Sequence, residues 1–397
     1  SEPFLFTGWP KRICWIHNSG NIPVNFLFEV DKSGNDQWET LQSVNLGPRK
    51  SVNVEFPPTV EAEWIRVKTD IATTATVHFS YSGNDNRNNV PNAIFNGLSP
   101  VTDPKSTGGL LYGLGDNRRA LGVLAGEFNG IDFTETGYYE LDGNMDLQKK
   151  EDPEMADFIR DKFAIPEQVV TIDNASVLIE DDFGRRWRLP KGDPGFKYLT
   201  DGATLRICRE VVTERDLFNC AGTFYELPAN NADGFAKIRP VASHNFRIHD
   251  YASYRGMLIM TGINPEMAKQ NSHVIVSSDG KAAVWAGVID DLWKIGKPAG
   301  EGGPWKNSEV TAGVPSYPYL IGFYEKRSLE ISHNSSGPVT IRIETEPVGH
   351  GLWMTYMTVQ VNPGEVYKYD FPPAFESRWI RFISDKDCYA TAWLKYE

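Results

Sequence analysis

The densest chemistry in this sequence lies between positions 243 and 255. The chain there reads Ser243-His244-Asn245-Phe246-Arg247-Ile248-His249-Asp250-Tyr251-Ala252-Ser253-Tyr254-Arg255, just ahead of the apolar run Gly256–Gly262. Histidine offers a proton switch near neutral pH, arginine a bidentate clamp for a carboxylate, and tyrosine both a stacking face and a proton. His244, His249, Asp250 and Tyr251 are therefore candidate catalytic groups, with Arg247, Arg255 and Asn245 beside them to bind substrate. The plainer alternative is a polar loop holding one buried histidine satisfied by backbone.

Three further clusters sit at loop-to-strand transitions. Gly115-Asp116-Asn117-Arg118-Arg119 puts a carboxylate beside two cations, so Asp116, Arg118 and Arg119 join the binding candidates. Thr213-Glu214-Arg215-Asp216 supplies Glu214 as a further catalytic carboxylate, and Asp290-Asp291-Leu292-Trp293-Lys294 offers Trp293 for stacking. Adjacent side chains point to opposite faces of a strand, so Asp290 and Asp291 serve one site only if the backbone bends. The competing reading of that pair is a turn whose carboxylates cap backbone amides. The stretch from Gly126 to Glu135 alternates acids and aromatics, as a general acid–base pair with sugar-stacking rings would. It is equally an edge loop whose Phe128 and Phe133 pack inward. Trp305, in Gly302-Gly303-Pro304-Trp305, is either a stacking residue on a glycine-rich loop or a lid over the core.

Several chemistries are excluded. The chain has no strand-turn-helix GxGxxG, no Walker loop, no HExxH, no GxSxG and no His/Cys metal spacing. No cofactor is expected, although a structural calcium held by carbonyls and aspartate would leave no trace in a sequence. With 40 Lys and Arg against 52 Asp and Glu, a formal charge of -12, a nucleic-acid surface is not expected. No apolar run is long enough for a spanning helix. Cys208 and Cys220 flank a plausible hairpin and either pair or remain buried thiols. The chain opens Ser-Glu-Pro without a secretory signal, which fits either a cytoplasmic protein or a mature form.

The elements that must position these residues are strands. The 397 residues include 35 Gly, 25 Pro and 12% aromatics, the mixture of turn formers and half-buried rings that favours sheets. An internal repeat ties the two ends together. SEPFLFTGWPKRICWIHNSG answers SYPYLIGFYEKRSLEISHNSSG, and Trp38, Phe56 and Trp64 answer Trp353, Phe371 and Trp379 in register. Period-two alternation in SVNVEF points Val52, Val54 and Phe56 to one side, and EVYKYDF is read with Val366 inward. One segment reads as a helix, with Asp152 as cap, Pro153 at its first position and Met155, Phe158, Ile159 and Phe163 at helical spacing. Some 28 strands are expected, roughly seven four-stranded blades.

The expected fold is thus all-β, a single β-propeller over 1–397 with homologous units 1–85 and 316–397 and central blades at 101–315. Five or six blades remain open, and two terminal sandwiches around a β core are the alternative. A Trp- and Gly-rich β repeat with His-Asp-Tyr and Arg entering an inner strand resembles the β-propeller carbohydrate-active enzymes of polysaccharide-degrading bacteria. That resemblance implies an oligosaccharide or polysaccharide partner and a periplasmic or secreted setting, and it transfers no site residue.

Three functions follow as expectations. A glycoside hydrolase needs two carboxylates, or a histidine with one, and Asp250, Glu214 and Asp116 are the candidates. A lyase cleaving beside a uronic acid needs cations on the sugar carboxylate and a His or Tyr to move the proton. His244, His249, Tyr251, Arg247 and Arg255 suit that task. Hydrolysis is placed first, and a non-catalytic glycan-binding propeller is the third reading.

Overall fold

The computed structural model describes residues 1–115, 118–198, 205–212, 215–268 and 270–397, with backbone only at 197 and 198. Among them are thirty strands and one α-helix, so the chain is all-β. The recurring element is a four-stranded antiparallel sheet, consistent with a β-propeller architecture. None of the described helices is long and apolar enough to cross a membrane. Two compact units emerge. The first comprises Ser1–Asn86, Arg186–Leu189 and Gly302–Glu397; the second comprises Arg87–Arg185 and Pro190–Glu301.

The first unit holds the repeat. Its N-terminal copy forms a sheet of Phe4–Leu5, Trp64–Thr69, Val24–Asp31 and Trp38–Leu46, and a second of Ser51–Phe56, Lys11–Asn18 and Ala75–Ser82. Alternate residues from both meet in one core, Cys14, Ile16, Val54 and Phe56 against Phe26, Phe28, Ile65 and Val67. The C-terminal copy repeats this strand order and adds strands to both sheets, three to the first, which becomes seven-stranded, and one to the second. Arg186–Leu189 joins Tyr319–Leu320, and Gly300–Val310 joins Cys388–Tyr396. The copies meet through Trp15, which packs edge-on against Phe375 at 5.8 Å and donates its indole N–H to the Glu376 carbonyl at 2.8 Å. A Lys11–Glu325 ion pair at 2.6 Å closes the same contact. One register differs from expectation. Val366 is exposed, while Tyr369 and Phe371 turn inward onto Tyr356, because Tyr367–Asp370 pairs with Arg327–His333 in the opposite phase.

The second unit contains three four-stranded sheets. Lys105–Gly113, Leu121–Asn129, Asp132–Leu141 and Leu147–Lys149 form the first; Cys208–Val212, Arg215–Cys220, Thr223–Pro228 and Arg239–Ser243 the second. The third is Tyr251–Tyr254, Met257–Met260, Ala283–Gly287 and Val274–Val276. Its two faces enter different cores. Tyr251, Leu258 and Met260 pack with Leu217 and Phe224 of the second sheet, whereas Ala252, Tyr254 and Ile259 pack with Leu111, Val123 and Tyr139 of the first. A sheet apolar on both sides and covered on both by other sheets is how propeller blades stack.

A hairpin turn stands at Asp279-Gly280, with Gly280 at φ +72° and strands 274–276 and 283–287 paired across it. Helix Pro153–Lys162 starts as expected, the Asp152 carboxylate accepting from the Met155 N–H at 3.1 Å. All four cysteines are free thiols. Cys208 lies opposite Phe218 and Cys220 opposite Thr223 in the hairpin, so the two do not face one another.

Candidate functional site

The 243–255 segment splits into two environments. Asp250 is fully buried, and its carboxylate is saturated. Arg206 Nε donates to Oδ1 at 3.0 Å, Arg209 Nη1 reaches both oxygens at 3.0 Å, and the Leu111 and Tyr251 N–H groups add bonds of 2.9 and 2.8 Å. The two arginines spend their remaining donors on the Phe163 and Leu111 carbonyls. This is a buried charge paired and hydrogen-bonded on every side, the condition under which an ion pair survives away from water.

Tyr251 is equally fixed, its hydroxyl donating to the Leu217 carbonyl at 2.7 Å, and burial raises its pKa. His249 accepts the Gly109 N–H on Nδ1 at 2.9 Å and lies between Phe128 and Phe133 at ring distances of 4.9 and 4.8 Å. Burial pushes its pKa down to about 4, although Asp250 pulls the other way. A Cβ at Gly108 would stand 2.6 Å from that imidazole, so the sheet approaches this closely only with glycine there. Arg247 lies beneath the Phe128 ring at 4.8 Å and donates to the Gly130 carbonyl. His249, Asp250, Tyr251 and Arg247, read from the sequence as catalytic and binding candidates, are all buried, and their hydrogen bonds join the first and third sheets.

His244 and Asn245 go elsewhere. They line a cavity of about 370 Å³ with Asn89, Pro91, Gly192, Asp193, Ser243, Ile295, Lys297, Ala299 and Gly300. Its walls are pinned by backbone. His244 N–H donates to the Gly222 carbonyl at 2.7 Å, Gly192 N–H to the Ala221 carbonyl at 2.9 Å, and the Ser243 hydroxyl to the Ala299 carbonyl at 2.9 Å. Lys191 and Glu301 exchange two backbone bonds behind Gly300. A Cβ at Gly192 would fall 2.5 Å from the Ala221 carbonyl oxygen, so this wall needs glycine.

Within the cavity the charges are a carboxylate and an ammonium. Asp193 Oδ1 accepts the Gly195 N–H at 2.7 Å, and among the described residues neither Asp193 nor Lys297 has an ion-pair partner. Asn245 and Asn89 are exposed amides, each with donors and an acceptor. His244 is a wall and not a base. Its Nδ1 accepts the Phe246 N–H at 3.1 Å, which leaves Nε2–H to donate to Asn219 Oδ1 at 3.0 Å. Burial lowers its pKa to about 3, so the ring stays neutral near neutral pH. The arrangement provides a proton acceptor, a cation and several neutral hydrogen-bonding groups around one volume. Among the described residues no three His, Cys, Asp or Glu side chains converge as metal ligands.

The other expected residues are not brought to this cavity. Arg118 pairs with Asp152 and Glu140 at 3.1 and 3.4 Å, and Arg119, at φ +45°, offers its carbonyl to the Tyr254 hydroxyl. Arg255 and Gly256 both have positive φ and form the two-residue turn between paired strands 251–254 and 257–260, which explains that arginine conformationally. Asp291 takes the Val288 N–H and pairs with Lys294, the capping role weighed for it. Trp293 is exposed, with Arg87 over its ring at 4.5 Å. Trp305 is buried against Phe382 in the first unit, in keeping with the second of its two readings, a place over the core. Phe128 and Phe133 sit on a hairpin and point inward. Asp116 and Glu214 lie outside the described residues.

Asp193 and Lys297 were not singled out by sequence. Gly192-Asp193-Pro194-Gly195 reads only as a turn, and Gly296-Lys297-Pro298 as a connection. Arg206 and Arg209, the partners of Asp250, are 44 and 41 positions away from it.

No family model and no curated protein matches the chain. Among solved structures, PirA is 18% identical over 25% of this chain and 84% of its own, with a TM-score of 0.15. A glycoside hydrolase of family 32 from Bifidobacterium adolescentis is 7% identical, over 99% of this chain and 98% of its own, with a TM-score of 0.17. An exo-β-1,3-galactanase from Phanerochaete chrysosporium is 9% identical, over 70% and 75%, with a TM-score of 0.16. At such scores the likenesses carry no weight for the site.

Proposed function

We propose that this protein binds a saccharide in the cavity of its second unit and acts in glycan degradation, as a glycoside hydrolase. The observation that supports this reading is the meeting of Asp193 and Lys297, both without an ion-pair partner among the described residues, with the amides of Asn245 and Asn89 around about 370 Å³. Saccharides present many hydroxyls that both donate and accept, and this lining offers both. Asp193 is the group we assign to proton exchange with a glycosidic oxygen. A periplasmic or extracellular setting goes with such a substrate.

A second reading is favoured by one feature. Hydrolysis by the usual route takes two carboxyl groups, and the described lining contains one. A glycan-binding body without turnover therefore stands behind the hydrolase. Uronate cleavage by the expected histidines and tyrosine has less support, since His244 and Tyr251 have their polar atoms bound within the fold and His249 is buried with Nδ1 engaged by the Gly109 N–H.

The experiment separates binding from turnover on a panel of neutral and acidic oligosaccharides. Calorimetry reports binding, and reducing-end release or the ultraviolet absorbance of an unsaturated product reports reaction. Lys297→Ala should weaken binding, and Asp193→Asn should abolish turnover while binding persists. Binding without turnover by the unaltered protein supports the second reading. If no panel member binds, the saccharide assignment is wrong.

A further inference from the structure

The two repeat copies place the same strand at the edge of the same sheet, but only one of those edges is covered. In the C-terminal copy Tyr319–Leu320 pairs antiparallel with Trp379–Ser384, Leu320 opposite Trp379. On its outer side lies Arg186–Leu189, parallel, with Arg188 against Tyr319. The added strand donates the Arg188 N–H to the Pro318 carbonyl at 2.8 Å, lays Trp187 on Trp379 at a ring distance of 4.6 Å, and bonds Arg186 to the Tyr317 hydroxyl at 2.6 Å. Beneath it Tyr319, Leu320 and Trp379 are 0%, 0% and 1% exposed.

In the N-terminal copy the corresponding strand is Phe4–Leu5, in the same register, Leu5 opposite Trp64. Among the described residues no strand pairs with its outer side. Phe4, Leu5 and Trp64 are 46%, 46% and 37% exposed, and Trp9 beside them is 45% exposed. The position of Tyr317 is taken by Glu2, an exposed acid. An edge with no strand on its outer side and with exposed apolar side chains is a template for strand addition.

We propose that the outer edge of Phe4–Leu5 is a docking site for an extended segment of a partner protein with basic–aromatic–basic alternation, added in parallel. The occupant is defined by the covered copy. Its aromatic residue lies over Trp64 as Trp187 lies over Trp379, and its first basic residue meets Glu2 where Arg186 meets Tyr317. The exchange of a tyrosine for an acid makes this edge more selective for a cation than its counterpart.

The test uses the full chain and a labelled synthetic peptide, Gly-Arg-Arg-Trp-Arg-Leu-Pro, copied from residues 184–190. Fluorescence anisotropy should show saturable binding, lost when the peptide tryptophan is replaced by alanine. Glu2→Lys, a surface change that leaves the core intact, should weaken binding about fivefold, the scale of an exposed ion pair. Trp64→Ala should weaken it about tenfold or more. Hydrogen exchange should report protection at Phe4 and Leu5. The proposal is overturned by absence of saturable binding, by indifference to Glu2→Lys, or by protection confined to Tyr319–Leu320, which would mean the peptide displaces the strand already there. Self-association of the chain through this edge, with the peptide unable to compete, would also overturn it in favour of a second copy.

Discussion

Asp250→Asn tests whether the buried carboxylate is structural or catalytic. The substitution preserves volume, but the Leu111 N–H sits on Oδ2 and the Tyr251 N–H on Oδ1, so the amide oxygen keeps only one of the two bonds. It removes the charge that faces Arg206 and Arg209, whose side chains are only 10% and 18% exposed. Removing one partner of a buried pair costs about 3–5 kcal/mol, because the remaining charge stays desolvated. Arg209 retains some solvent and both arginines keep carbonyl partners, which places the expected loss near the lower end, about 3 kcal/mol. For a unit of this size that lowers the melting point by on the order of 10 °C. The assay is urea unfolding with hydrogen exchange followed on strands 251–254 and 257–260, so that the second unit is scored by itself. Asp193→Asn serves as the contrast and should shift stability by less than about 0.5 kcal/mol, as surface substitutions do. A loss under about 1 kcal/mol for Asp250→Asn would refute the electrostatic reasoning, and lost turnover at unchanged stability would return Asp250 to catalysis.

Three other outcomes are expected. His244 and His249 are held neutral, with pKa values of about 3 and about 4 against 6.5 in the unfolded chain, so the unfolded state takes up protons first as pH falls. Stability should be complete above pH 6.5 and decline toward pH 4 and then 3, by on the order of 3 kcal/mol per histidine, and a flat urea midpoint from pH 7 to 4 would contradict this. The Cys14 and Cys220 thiols are buried and Cys208 is pushed up to about 12, so a thiol reagent at neutral pH should titrate these three only on unfolding, and rapid native reaction would show them accessible. Gly262 has φ +108°, and a Cβ there would stand 2.0 Å from the Arg247 carbonyl oxygen. Gly262→Ala should therefore cost at least about 2 kcal/mol in a melting experiment, more than an alanine at Gly280, which meets nothing within 4 Å.

The fold was largely legible because its signals are local. Turn residues, period-two alternation and the Asp152-Pro153 helix start each act within a few positions, and the repeat displays itself by register. Val366 was misplaced because EVYKYDF alternates aromatics and charges of similar bulk, and only pairing with Arg327–His333 selects the inward set. The site was half legible. The composition of the 243–255 segment stands out in the sequence, but a buried polar network and a catalytic cluster have the same composition. What separates them is whether partners such as Arg206 and Arg209 arrive from distant strands to neutralise them. Asp193 is invisible for the opposite reason, since glycine and proline around it carry a strong turn signal that hides a carboxylate lining a cavity.

The first unit is assembled from three separated stretches of chain, and that has a consequence for the order in which it can be made. Its N-terminal copy emerges first, but the partners of Trp15, Tyr356 and Phe375, follow only after the whole second unit. Roughly two hundred residues intervene, which at ribosomal speed is on the order of ten to forty seconds. Through that interval Trp15, which ends 1% exposed, lacks these two aromatic partners. The duplication thus creates a newborn state with a sticky half-interface, and a chaperone or slowed translation near residues 302–397 would act on that interval before any mutation in the finished core did.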